Sequence, residues 1–151
     1  MEYLGVSGNE LSGKILGELG NLSQLKEIYV GYFNSYEGGI PPEIGKLTNL
    51  VHMDMSAWNL SGLLPPELGN LVNLDTMFLQ VNILSYPIPL EMGNLKSLIS
   101  MDLSNNHLAG EILEEFSQLK EMTLLNLFRN RLHGSIRSFI SDLPNLEFFK
   151  L

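Results

Sequence analysis

The chain has 151 residues, a formal net charge of −8 and no cysteine, and its 44% of hydrophobic residues never form an uninterrupted run of membrane-spanning length. That length suffices for one domain, the spread acidic charge argues against a nucleic-acid or anionic-membrane partner, and the lack of thiols excludes disulfides and thiolate metal sites. No transmembrane helix is expected, and Met1-Glu2-Tyr3-Leu4 enters a strand pattern at once, so no signal peptide is expected either.

In chain order, Leu4 and Val6 read as strand positions, Asn9 as a turn and Leu11-Ser12-Gly13-Lys14-Ile15 as an extended return. The same sentence of residues then repeats. Coils start at Leu22, Leu47, Leu71, Leu95, Leu119 and Leu143, dividing the chain into 1–21 (partial), 22–46, 47–70, 71–94, 95–118, 119–142 and 143–151 (partial). Leu95 to Gln118 shows the unit most clearly, as L-x-x-L-x-x-M-x-L-x-x-N-x-L-x-G-x-I. Its parts are a strand around Met101-Asp102-Leu103, a turn at Asn106, a return from Leu108 to Ile112 and a looser helical piece. Most spacings are 24 residues, within the leucine-rich-repeat range, while coil two has 25 with its extra residue in Gly31 to Tyr36. The expected fold is an α/β repeat: a curved leucine-rich-repeat solenoid with parallel strands on its concave face and no caps. Its open ends should leave Leu4, Val6, Leu11, Ile15, Leu146, Phe149 and Leu151 partly in water.

Asn9, Asn82, Asn106 and Asn130 occupy the inward turn, where an amide with donors and an acceptor can pair backbone groups of its own coil and of the next. Trp58 stands at this position in the third coil with one donor and no acceptor, which predicts a locally distorted turn.

The return segments read LSGKIL, YEGGIP, LSGLLP, LSYPIP, LAGEIL and LHGSIR. This L-[ST]-G-x-I-P pattern, followed by E-[IL]-G-x-L, resembles the plant-specific leucine-rich repeat of receptor kinases and receptor-like proteins. The stretches Tyr29 to Asn34, Pro41 to Gly45, Phe78 to Asn82, Met101 to Ser104 and Leu124 to Asn130 resemble the middle ectodomain repeats of CLAVATA-type and BARELY ANY MERISTEM-type receptors. The chain departs from the pattern where Leu16, Leu113 and Arg137 replace return-strand prolines and Tyr86 replaces a glycine; it also shows no paired-cysteine cap, membrane helix or kinase domain. The resemblance implies a fragment of a receptor on the extracellular side of the plasma membrane. Its concave face would bind a small secreted signalling peptide, a co-receptor would dock through repeats further C-terminal, and a kinase domain would lie elsewhere in the parent. An inhibitor module like the polygalacturonase-inhibiting proteins, or a copy with a purely structural role, are the alternatives.

Alternation along each strand turns Gly5, Tyr29, Asp54, Phe78, Asp102, Asn126 and Lys150 outward, followed by Tyr32, Ser56, Gln80, Val81, Ser104, Phe128 and Arg129. Apolar anchors mixed with a few orienting polar groups are what a concave site needs. The candidate ligand-binding residues are therefore Tyr29, Tyr32, Asp54, Phe78, Gln80, Asp102, Phe128 and Arg129. Asp54 and Asp102 could face a basic ligand group, or stand as lone solvated carboxylates. Arg129-Asn130-Arg131 is out of register for a pair of strand-borne arginines, because Asn130 takes the inward turn. Asn21-Leu22-Ser23 and Asn59-Leu60-Ser61 are N-glycosylation acceptors in connecting segments. His52, His107 and His133 fall at unlike coil positions and suggest surface residues, with no metal spacing. With no nucleophile constellation or phosphate loop, no catalytic residue, metal or cofactor is expected.

Overall fold

A computed structural model describes residues 1–31, 35–136 and 139–151, with the backbone alone for Ser35. Strands are numbered in chain order, and odd numbers fall on the inner face. These are β1 (Tyr3–Gly5), β3 (Glu27–Tyr29), β5 (His52–Asp54), β7 (Thr76–Phe78), β9 (Ser100–Asp102), β11 (Leu124–Asn126) and β13 (Phe148–Lys150). They form one seven-stranded parallel sheet in sequence order. The central residue of each strand points inward: Ile28, Met53, Met77, Met101 and Leu125 are fully buried, and Leu4 and Phe149 are half-buried at the two ends. Register is therefore held by burial, because a slip of one residue would turn this whole column into water.

The returns are β2 (Ser12–Gly13), β4 (Ser35–Tyr36), β6 (Ser61–Gly62), β8 (Ile83–Tyr86), β10 (His107–Glu111) and β12 (Arg131–His133). Among the described residues they form a pair, β2-β4, and a separate four-stranded sheet, β12-β10-β8-β6. The chain turns back toward the inner sheet through five-residue 3-10 segments, Gly17–Asn21, Pro42–Lys46, Pro66–Asn70, Leu90–Asn94 and Glu114–Gln118, and a shorter one, Ile140–Asp142. The looser helical piece of the repeat is thus 3-10 in every described coil. Pro41, Pro65 and Pro89 hold the extended lead-in, and where leucine replaces proline Leu16 and Leu113 keep the same path at φ −85° and −73°. Arg137 lies outside the described residues. The glycine after each Glu-x pair has a packing reason: a Cβ on Gly45 would overlap the carbonyl of Glu67 in the next coil.

The turn asparagines make the ladder their chemistry suggests. Asn82 Nδ2 donates to the carbonyls of Met55 (2.9 Å) and Leu79 (3.0 Å), while its Oδ1 accepts from the amides of Trp58 (3.0 Å) and Leu60 (2.9 Å). Asn106 reaches back to the Leu79 carbonyl and the Leu84 amide, each at 3.0 Å, and Asn130 to the Leu103 carbonyl (2.9 Å) and the Leu108 amide (3.1 Å). Asn9 bonds only within its own coil among the contacts described, to the Val6 and Ser7 carbonyls at 2.8 and 3.2 Å. Trp58 turns its indole into the core, 1% exposed and stacked on Tyr36 with centroids 4.2 Å apart. Its turn is distorted, with Asn59 (φ 62°) joining Ala57 (φ 57°) in the left-handed region.

A second ladder was not anticipated. Asn49, Asn73 and Asn145 each donate to a carbonyl of the preceding coil, on Ser23 (2.9 Å), Thr48 (2.8 Å) and Lys120 (2.9 Å). Strain collects in the fourth coil. Tyr86 stands at φ 72° where Gly13, Gly38, Gly62, Gly110 and Gly134 supply the left-handed turn of other coils, and Val81, β-branched, is at φ 60°. At the ends, Leu4, Val6, Leu11, Leu146, Phe149 and Leu151 are half-buried or exposed as expected. Ile15 corrects the expectation: it packs into the core cluster at 8% exposure, because the return of the first coil folds over the second.

Candidate ligand-binding face

The parallel register of the inner sheet makes Gly5, Tyr29, Asp54, Phe78, Asp102, Asn126 and Lys150 successive neighbours across seven strands. The row on the other side of the buried column is Tyr3, Glu27, His52, Thr76, Ser100, Leu124 and Phe148. Side chains from the two rows meet. Tyr3 and Tyr29 have ring centroids 5.4 Å apart, Tyr29 stacks on His52 at 4.7 Å, and His52 meets Phe78 edge-on at 5.9 Å. Tyr3, Tyr29, His52 and Phe78 thus form one aromatic ladder over four strands.

His52 and Tyr3 were missed in the sequence because only the row following the buried column was weighed. The signal was the alternation itself, which turns residues on both sides of that column outward. His52 is half-buried within the ladder and is no isolated surface residue. Tyr29 Oη donates to Glu27 Oε2 at 3.0 Å. Desolvation first, then the hydrogen bond to Glu27 and its charge, push the Tyr29 phenol up to about 12.

Asp54 and Asp102 are not lone solvated carboxylates. Asp54 Oδ1 accepts from both the amide (3.0 Å) and the hydroxyl (2.6 Å) of Ser56, and Asp102 Oδ1 accepts from the Ser104 amide at 2.9 Å. Asp102 Oδ2 also accepts from Asn126 Nδ2 at 2.8 Å. A short side chain two residues before an unpaired amide bends back to cap it, so each aspartate fixes the end of its strand. Ser56 and Ser104, expected on the outward surface, are consequently covered. Gln80 is half-buried, with Oε1 enclosed and without a hydrogen-bond partner.

Phe128 stands apart from the ladder. Lys150 Nζ lies 4.0 Å from its ring centroid and Arg129 Cζ 5.4 Å, so coils six and seven present a ring flanked by two cations. Arg129 is exposed at φ 56°, and Asn130 takes the inward turn between it and Arg131. Tyr32 lies outside the described residues. The eight sequence candidates therefore separate: Tyr29 and Phe78 join through His52, Asp54 and Asp102 brace strand ends beside them, Gln80 follows Phe78, and Phe128 with Arg129 forms a second group. Among the described residues no group of three His, Cys, Asp or Glu is placed to hold a metal ion, and no helix is long and apolar enough to cross a membrane.

The family model described as "leucine-rich repeat region" matches residues 3–150. The receptor protein-tyrosine kinase CEPR2 of Arabidopsis thaliana is 37% identical over 62 residues, 41% of this chain and 6% of that protein. Among solved structures, a TDR receptor superposes with a TM-score of 0.97 at 42% identity, covering 100% of this chain and 26% of its own. The ectodomain-bearing chain of the Arabidopsis receptor kinase HAESA, solved with the peptide hormone IDA and the co-receptor SERK1, gives a TM-score of 0.94 at 30% identity, covering 99% and 25%. The chain thus spans about a quarter of each of these two solved chains. It belongs to the leucine-rich-repeat family, and the relatives it resembles are plant receptor kinases.

Proposed function

We propose that this chain is part of the ligand-recognition surface of a plant receptor ectodomain, displayed on the extracellular side of the plasma membrane and binding a small secreted signalling peptide. The observation that carries this reading is the aromatic ladder from Tyr3 to Phe78, laid across adjacent strands of one unbroken sheet with strand-bracing carboxylates beside it. Aromatic rings offer apolar area at low entropic cost, and fixed polar groups orient what lies on them. The similar receptor HAESA was solved with a peptide hormone and a co-receptor, which supports the same class of partners here.

In this proposal Tyr29, Phe78 and, beyond the described residues, Tyr32 anchor the peptide, Gln80, Asp54 and Asp102 set its register, and Phe128 with Arg129 meets its far end. A co-receptor would dock on repeats outside this chain. Asn21 and Asn59, both exposed and off the inner sheet, would carry glycans without blocking the face.

Seven strands span ~29 Å, room for about nine residues of extended peptide. Calorimetry of a longer ectodomain carrying these coils, titrated with a library of synthetic peptides of at least that length, tests the reading. Changing Tyr29 and Phe78 together to alanine should weaken a bound peptide by roughly 1–3 kcal/mol. Unchanged affinity would remove the ladder from the binding surface.

A further inference from the structure

We propose that Phe78, with Asp54 and Asp102 on either side of it, is a specificity subsite for an arginine side chain of the bound peptide. The proposal rests on the inner face being the peptide-binding surface, and it names the residue that this surface selects. The three side chains stand next to one another in register on β5, β7 and β9, and each is half-buried. They lie in coils three to five, with further coils packed on both sides, so the subsite is complete within the sheet.

Two observations give the occupant its chemistry. The first is charge without compensation. Among the described residues the ion pair is Lys26 with Glu2, so neither aspartate is matched by a cation of the chain. Their bonds to Ser56, Ser104 and Asn126 fix the carboxylates in place yet leave both charges standing, because every one of those partners is neutral. After desolvation and the Glu27 hydrogen bond, the charge of Asp54 is among the lesser causes that raise the Tyr29 phenol, which records the sign of the field here. The second observation is the ring. Phe78 meets His52 at 83° between planes, so it ends the stack and keeps one face clear of the other described rings. The chain itself shows what such a ring receives: Phe128, in coil six, carries Lys150 and Arg129, whereas no described lysine or arginine takes that place on Phe78. A ring face attracts a cation, two carboxylates accept from its donors, and a guanidinium is planar, charged and forked at once. Neighbouring strands stand ~4.8 Å apart, which puts the two aspartates ~10 Å from each other along the sheet and leaves room for one planar group bonded to both.

The test immobilises the full chain and offers it synthetic libraries of about nine residues, the length the sheet accommodates. Each library fixes its central residue as arginine, citrulline or lysine and draws the others from uncharged residues. Citrulline keeps the length and shape of arginine and lacks its charge. The arginine library should be retained about tenfold more than the citrulline one, with lysine between them. Asp54→Asn with Asp102→Asn, which keeps the acceptors that brace the strand ends, should erase that ratio, and Phe78→Leu should reduce it. Glu114→Gln with Glu115→Gln, the same loss of charge at two exposed positions of a 3-10 segment, should leave it intact. Equal retention of arginine and citrulline libraries overturns the subsite while peptide binding to the face stands, and retention of none of the libraries overturns both. The subsite is also overturned if lysine is held as well as arginine, or if the 3-10 substitutions erase the ratio as fully as the aspartate pair, since net charge would then suffice. Should the aspartate variant fail to fold, the native chain and Phe78→Leu still decide.

Discussion

Every full coil contributes one inner and one return strand, yet the inner strands form one continuous sheet and the described returns break between β4 and β6. The difference lies in what fixes each register. On the inner face a buried column running from Ile28 to Leu125 sets the alignment, and it is satisfied by any large apolar residue, including three methionines. On the return side the alignment depends on one amide per coil. Asn82 ties β8 to β6, Asn106 ties β10 to β8, and Asn130 ties β12 to β10. Trp58 cannot make that tie between coils three and two, and there, among the described residues, the return strands are joined by the backbone bond from Ser61 N to Gly38 O at 2.9 Å. Apolar columns tolerate variety, whereas directional ladders fail at one wrong residue.

The strongest test removes a working tie. Asn82→Ala leaves the Met55 and Leu79 carbonyls and the Trp58 and Leu60 amides without their side-chain partner in a buried turn. It should cost roughly 2–3 kcal/mol in urea unfolding, and Asn130→Ala, in a half-buried turn, should cost less. Equal and negligible losses would show that the columns alone hold the coils together.

On the inner face the register should be visible in a titration. Tyr29, held up to about 12, should ionise late when tyrosine absorbance is followed with rising pH. The sign follows directly: the unfolded phenol ionises near its ordinary value of 10.0, so the folded state is favoured below that pH and loses this advantage as pH climbs toward 12. Glu27→Gln, which removes the charge while leaving an acceptor, should lower the Tyr29 value part of the way, because desolvation is the larger cause.

Smaller effects should come from repairing the return side. Tyr86→Gly restores the residue that the left-handed turn favours at a site 62% exposed, and should raise stability by about 0.5–1 kcal/mol, net of the backbone entropy of glycine. The smallest gain concerns the second asparagine ladder, which lapses at Ser97 and Glu121. Ser97→Asn with Glu121→Asn should add about 0.5 kcal/mol per site in thermal unfolding, the low end for a hydrogen bond near water.

The sequence displayed the columns and the turn ladder because both repeat at a fixed period, and chemistry alone assigns an inward asparagine its partners. It concealed features that arise between neighbours. His52 looked isolated until the strand register set it between Tyr29 and Phe78, and Asp54 and Asp102 looked free although a serine follows each by two residues. Phe128 looked like part of the same aromatic set because composition counts rings without regard to distance. The second ladder was faint because only three of the coils carry asparagine there, and the shielding of Ile15 depended on how the first return folds over the second coil. In each case the local pattern was present and the cross-coil contact decided its meaning.

The missing tie at Trp58 also changes how adjacent coils are coupled. A solenoid behaves as a row of units joined only to nearest neighbours, so its cooperativity is set by its weakest joint. The joints bridged by Asn82, Asn106 and Asn130 add a turn-amide tie to their packing, whereas the one between coils two and three has the Trp58–Tyr36 stack in its place, 4.2 Å between centroids, beside the Asn49–Ser23 and Ser61–Gly38 bonds. Apolar contact weakens on cooling, and hydrogen bonds do not share that dependence. The joint between coils two and three therefore leans more on apolar contact than those tied by Asn82, Asn106 and Asn130, and cooling should weaken it more than them.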